Sequence, residues 1–130
     1  HPLLRRFAWH PRFPLDAIAM RRALGSLRGK HDFSAFCAAP GRGRTPTCTV
    51  RSARLIARGD HLVVLLSADS FLHHMVRNIV GSLVEVGRGA QPPSWVSGLL
   101  AGRDRTRSGP TAPAQGLFLV RVLYGDTAGG

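Results

Sequence analysis

Hydrophobic positions along the chain change period several times, and each change marks an element. From Leu4 to His10 they alternate, with Arg5, Phe7 and Trp9 on one side and Leu4, Arg6 and Ala8 on the other. That period predicts a strand, closed by Pro11 and Pro14. The spacing then lengthens: Ile18, Met20, Leu24 and Leu27 predict a helix from Asp16 to about Leu27, stopped by Gly29. His31 to Phe36 is irregular, and Ala39 to Thr47, with its prolines, glycines and two arginines, reads as a loop. Thr49–Ala57 and His61–Leu66 are rich in Val, Ile and Leu and predict strands, with Gly59-Asp60 as a tight hairpin turn between them. Pro92-Pro93-Ser94 opens a short helix from Trp95 to Leu100, Arg103 to Gln115 is a loop, and Leu117 to Tyr124 is the last strand. The tail from Asp126 to Gly130 is expected to be disordered.

The longest periodic segment is Phe71 to Gly89. Leu72, Met75, Val76, Ile79, Leu83 and Val86 recur at steps of three and four and predict an amphipathic helix, with Asp69 or Ser70 as its cap. His73 and Arg77, four apart, share its flank. Gly81 stands mid-helix, where glycine costs about 1 kcal/mol relative to alanine, so a close neighbour is expected there. Taken alone, Arg77 reads as a surface arginine whose stem covers apolar neighbours. Without the short helix, the order is βαββαβ: an α+β, ferredoxin-like unit, an antiparallel sheet with helices on one face.

Composition adds constraints. At 130 residues the chain is one domain by size, long enough for a real core, and has no run of the roughly 20 apolar residues that span a bilayer. It opens on His1 rather than methionine, without an apolar leader, and is expected to be processed, trimmed or a fragment. Eighteen basic residues, all arginine except Lys30, against seven acidic give a net charge of +11. That excess points to a polyanion, foremost nucleic acid; no helix carries the dense basic face that a membrane surface would require. Cys37 and Cys48 form neither a CxxC pair nor a zinc spacing, and reduced thiols in a cytoplasmic protein are expected.

Candidate chemistry is sparse. Asp16, Asp60 and Asp69 are explained by caps and turns, Asp126 lies in the tail, and Glu85 falls opposite the apolar stripe, in solvent. Asp32 and Asp104 are the acids in loops where function would sit. No nucleophile elbow, phosphate loop, zinc-protease helix or dinucleotide fingerprint is present. His73-His74 is not expected to bind metal, because adjacent helical residues point about 100° apart. Arg103, Arg105 and Arg107 alternate; if extended they share one side, either to contact phosphate or as a solvated turn.

Several segments together resemble the TruA-type tRNA pseudouridine synthases. They are Gly29 to Phe36, Phe71 to Gly87 (above all FLHHMVRNIVGSL), Arg103 to Thr106 with Gly109 to Pro113, and Gln115 to Val120. The resemblance runs from Leu3 to Tyr124 and is to the C-terminal half of that family. It implies an isomerase that breaks the N-glycosidic bond of a uridine in the tRNA anticodon stem-loop, turns the freed base and rejoins it through carbon, with no cofactor and no metal. The nucleophilic aspartate and the tyrosine that stacks on the target uracil lie in the family's N-terminal domain, absent here, so residues 1–125 read as the C-terminal domain and this chain alone is expected to be inactive. The resemblance further implies that Arg77 pairs with that aspartate, that Leu117 packs beside the uracil with Gly116 letting the backbone approach, and that His73 and His74 face the RNA. Arg103, Arg105 and Arg107, read from their alternation, and Arg42 and Arg44 of the basic loop are the further expected tRNA contacts, and the full-length protein is expected to be a homodimer. Cys37 and Cys48 stand where the family commonly has basic residues, for which Arg42, Arg44 and Arg51 can compensate.

A non-enzymatic ferredoxin-like RNA-binding domain is the alternative. Against it, the exposed aromatic pair expected for base stacking on a sheet is missing. A purely structural dimerisation domain accounts less well for the charge.

Overall fold

The structure, a computed structural model, describes residues 2–37, 46–72, 74–113 and 117–120, the last four as backbone only. Strand β1 (Leu3–Trp9) leads to helix α1 (Ala17–Gly25), a short strand β2 (Gly29–Asp32), the long hairpin of β3 (Thr47–Arg58) and β4 (His61–Ala68), helices α2 (Met75–Gly87) and α3 (Ser94–Gly102), and strand β5 (Leu117–Val120). Single 3-10 turns lie at Ser34–Phe36 and Arg105–Arg107. The sheet is antiparallel throughout, in the order β2-β3-β4-β1-β5. Without β2, this is the expected ferredoxin-like arrangement.

Strand alternation decides where the core sits. Phe7 faces Val64, and Val64 faces Leu55, in a row buried on the helix side of the sheet. Against it pack Met20, Leu24 and Leu27 around α1 and Met75, Ile79, Leu83 and Val86 from α2. One position along, Arg6, Leu65 and Arg54 share a row on the opposite face, only partly shielded or exposed. The two long helices meet closely. A Cβ at Gly87 would come within 2.6 Å of Met20 Sδ, and the Gly87 carbonyl accepts the Asp16 N–H at 2.8 Å.

Several expectations need correction. Asp16 does cap α1, accepting the Ala19 N–H at 3.0 Å, but Ile18 lies 65% exposed, because the buried line runs through Met20, Ala23, Leu24 and Leu27. Gly29–Asp32, expected as a helix stop and irregular chain, is an edge strand paired with β3. The period over Phe71 to Gly89 overstates the helix, since α2 starts at Met75. His74 precedes it in the left-handed region (φ 58°), so Asp69 and Ser70 cannot cap it; Asp69 instead accepts the Thr49 N–H at 2.9 Å. Glu85 is not simply in solvent: it is held by both nitrogens of a fork from Arg88, each at 2.9 Å. Gly59-Asp60 forms the hairpin turn as expected, with Gly59 at φ 61°. Both cysteines are free and buried. No helix among the described residues is long and apolar enough to cross a membrane. Of the expected last strand only Leu117–Val120 is described, and the tail lies outside the described residues.

Candidate functional site

Helix α2 is buried on nearly all sides, and that is the starting point for the site. One side packs on the sheet and α1. The other is covered by the segment 108–113, which runs so close that a Cβ on Gly81 would collide with the Pro110 carbonyl. This is the close neighbour that a mid-helix glycine anticipates. Gly109 is seated as tightly: a Cβ there would lie 2.9 Å from the Gly81 carbonyl oxygen, and its N–H donates to buried Ser82 Oγ at 2.9 Å.

Arg77 sits at the edge of this contact, half-buried. Its Nε donates to the Ala112 carbonyl at 2.7 Å, and its own carbonyl accepts the Ala112 N–H at 3.0 Å. Among the described residues, its two terminal nitrogens donate no hydrogen bond. An end-on fork of N–H groups is thus left available, the geometry that fits a carboxylate. Arg77 is therefore pinned at its inner nitrogen, more than a stem lying over apolar neighbours.

Ala112 also lines an apolar cleft of about 730 Å³, together with Phe7, Trp9, Phe13, Val80 and Gly81. The backbone of Leu117 pairs with Phe7. Arg77 and Leu117 are thus each one neighbour removed from the same cleft, through Ala112 and Phe7. His74 is exposed at the start of α2; Gly116, His73, Arg42 and Arg44 lie outside the described residues.

The three alternating arginines do not share a side, because the segment is not extended. Arg105–Arg107 is a 3-10 turn capped by Asp104, which accepts the Thr106 N–H at 2.9 Å and hydroxyl at 2.6 Å. Those bonds hold the Asp104 carboxyl below the usual carboxylate range. Arg103, in the left-handed region at φ 56°, points back to Asp32 at 3.7 Å, and Arg107 is exposed. Arg105 turns inward. Its Nη1 donates to Ser108 Oγ and the Gly109 carbonyl, and its Nη2 donates to Asn78 Oδ1 and Thr111 Oγ1. Asp32 accepts the Ser34 N–H and hydroxyl, which leaves it a turn-forming acid.

Sequence reasoning passed over Asn78, Ser82, Thr111 and Ala112. Asn78 is 1% exposed and Ser82 0%. Two polar residues four apart, flanking Gly81 inside an apolar helix, were the available signal: buried polar groups must find partners, and theirs are Phe36, Arg105 and, on the covering segment, Gly109 and Thr111.

Elsewhere, burial lowers Arg5, whose guanidinium lies 5.1 Å over the Phe71 ring, and raises the Cys48 thiol. No group of three or more His, Cys, Asp or Glu among the described residues could hold a metal.

Residues 23–125 match the family model of tRNA pseudouridine synthase. The chain is 52% identical over 116 residues to tRNA pseudouridine synthase A of Thiobacillus denitrificans, covering 89% of this chain and 44% of that protein. It is 49% identical over 115 residues to the protein of the same name from Idiomarina loihiensis, covering 88% and 44%. Against that of Myxococcus xanthus it is 47% identical over 126 residues, covering 96% and 48%. The chain spans less than half the length of these curated relatives.

Proposed function

This chain belongs to the tRNA pseudouridine synthase family, and from that membership we propose that it is the C-terminal domain of a synthase that isomerises uridines of the tRNA anticodon stem-loop. Its share of the work is to bind tRNA and to hold the catalytic carboxylate. The observation that carries this reading is Arg77: tied at Nε to the Ala112 carbonyl, with an end-on fork that no described residue uses, beside the cleft shared with Phe7.

Each part of the mechanism assigned here is a task for a side chain. An aspartate from the N-terminal domain meets the Arg77 fork and accepts two parallel N–H bonds, which keep it ionised and aimed. Uridine must leave the base stack to be reached, and the apolar cleft takes the flipped base against Leu117, with Gly116 giving the backbone room. The N1–C1′ bond breaks, the base turns, C5 bonds to C1′, and the C5 proton is replaced by one on N1. The atoms balance within the nucleoside, so the reaction requires no cofactor or metal. A net charge of +11 attracts the tRNA backbone, with Arg103 and Arg107 exposed after α3. His73, His74, Arg42 and Arg44 belong to the same RNA-facing set by the family resemblance. The whole enzyme works in the cytoplasm as a homodimer.

The test uses the full-length protein. Arg77→Ala should lower pseudouridine formation about a hundredfold or more, because truncating one member of a close charge pair strands the other. The fold should survive, since the change costs about one hydrogen bond. Near-normal turnover removes Arg77 from the site. The present chain alone should bind tRNA weakly and form no pseudouridine.

A further inference from the structure

We propose that Asn78, Arg105 and Thr111 form a clamp that aims Arg77, which makes Arg105 and Thr111 positioning residues for the reaction. The inference rests on the reading of Arg77 given above.

The three side chains close a triangle. Arg105 Nη2 donates to Asn78 Oδ1 and to Thr111 Oγ1, each at 3.0 Å, and the Thr111 hydroxyl donates to Asn78 Oδ1 at 2.6 Å. The protons balance: the hydroxyl gives its one proton to Asn78 and accepts from Arg105, while the amide oxygen uses both lone pairs. The Asn78 amide then donates to the Phe36 carbonyl at 2.9 Å, so its orientation is fixed from two directions. Arg105 Nη1 ties down the same segment at Ser108 Oγ (2.7 Å) and the Gly109 carbonyl (3.1 Å). Four acceptors on one half-buried guanidinium leave little of it for a phosphate.

The covalent neighbour of Thr111 is Ala112, and both backbone groups of Ala112 bind Arg77. Fixing Thr111 therefore fixes the carbonyl that sets the Arg77 rotamer. Without the clamp, segment 109–112 keeps Gly109 on Ser82 and the Ala112 N–H on the Arg77 carbonyl, but it loses its side-chain ties at Thr111, and the Ala112 carbonyl that aims the Arg77 fork is held less firmly. A misplacement of about 1 Å can cost about a hundredfold in rate.

Two variants of the full-length protein separate this role from the others. Thr111→Val keeps the shape of an exposed residue and removes the hydroxyl; it should lower kcat about tenfold or more while KM for tRNA stays within about twofold, and Thr111→Ser should restore kcat. Arg105→Lys keeps the charge but cannot span four acceptors, so it should also lose kcat without changing the salt dependence of tRNA binding. If either variant turns over normally, or loses activity through KM, in an enzyme that Arg77→Ala inactivates, the clamp is overturned and the Arg77 reading stands. If the wild type forms no pseudouridine, or Arg77→Ala turns over normally, both fall.

Discussion

The segment over α2 and the turn between β3 and β4 are both rich in charged and polar side chains, and the structure treats them oppositely. Over α2, Asn78 and Ser82 are fully buried, and each side-chain bond they make reaches across from one element to another. At the turn, Asp60 accepts a hydrogen bond from His61 at 2.9 Å and sits 3.7 Å from His10, all three more than half exposed. These contacts depress the Asp60 carboxyl, with His61 as the largest cause, yet water competes for each partner. The difference teaches that the number of polar contacts says little here. What matters is whether losing one partner strands the other in a dry place.

The glycines give the sharpest way to break that comparison. Gly81→Ala would drive a methyl into the Pro110 carbonyl, and neither helix nor segment can retreat without opening buried bonds. A loss of about 3 kcal/mol or more in chemical unfolding is expected. Gly98→Ala, on the exposed side of α3 with nothing within 4 Å of the added carbon, should instead gain about 0.5–1 kcal/mol. Equal effects would mean that segment 108–113 does not press on α2.

Next in size are the polar residues themselves. Asn78→Ala removes the partner of the buried Phe36 carbonyl and of Arg105 and Thr111 together, and should cost about 3 kcal/mol in the same measurement. Asp60→Ala at the turn should leave the unfolding midpoint where it is. A large shift there would show that the exposed cluster carries stability its geometry does not suggest.

The same contrast explains what was legible in the sequence. Among the described residues, period and turn chemistry located four of the five strands, all three α-helices and the Gly59-Asp60 turn, because each depends on residues close in the chain. β2 escaped because Gly29-Lys30-His31-Asp32 has no apolar alternation; β3 recruits it as a partner. The start of α2 was misjudged because Leu72 continues the apolar spacing, whereas the backbone turns left-handed at His74. Glycine 81 announced a close neighbour without saying which. The clamp could not be read, since Asn78 and Thr111 meet across 33 residues and Arg105 looks like any member of a basic loop. Arg77 was picked out by family resemblance alone; its tie to Ala112 appears only in three dimensions.

Asp69, at the other end of the β3–β4 hairpin, is as exposed as the turn but is bonded across two strands, and it offers the finest test. Its carboxylate accepts the Thr49 N–H at 2.9 Å while its own N–H donates to the Thr49 carbonyl at 3.1 Å, so one small acid closes the strand end from both sides. The Thr49 bond is the largest cause of its lowered pKa, and burial opposes it. A folded-state value below the unfolded one, about 3.9 for aspartate, means that its stabilisation is fully present above that pH. It is lost as pH falls through the folded value, when protonation removes the acceptor. Asp69→Asn should therefore lower stability slightly at pH 7 and flatten part of the acid limb of the stability–pH curve. The gap between wild type and variant should narrow as pH falls below the unfolded value and through the lowered folded one. A gap that stayed constant with pH would assign the effect to side-chain shape, and would place Asp69 with the exposed turn rather than with the clamp.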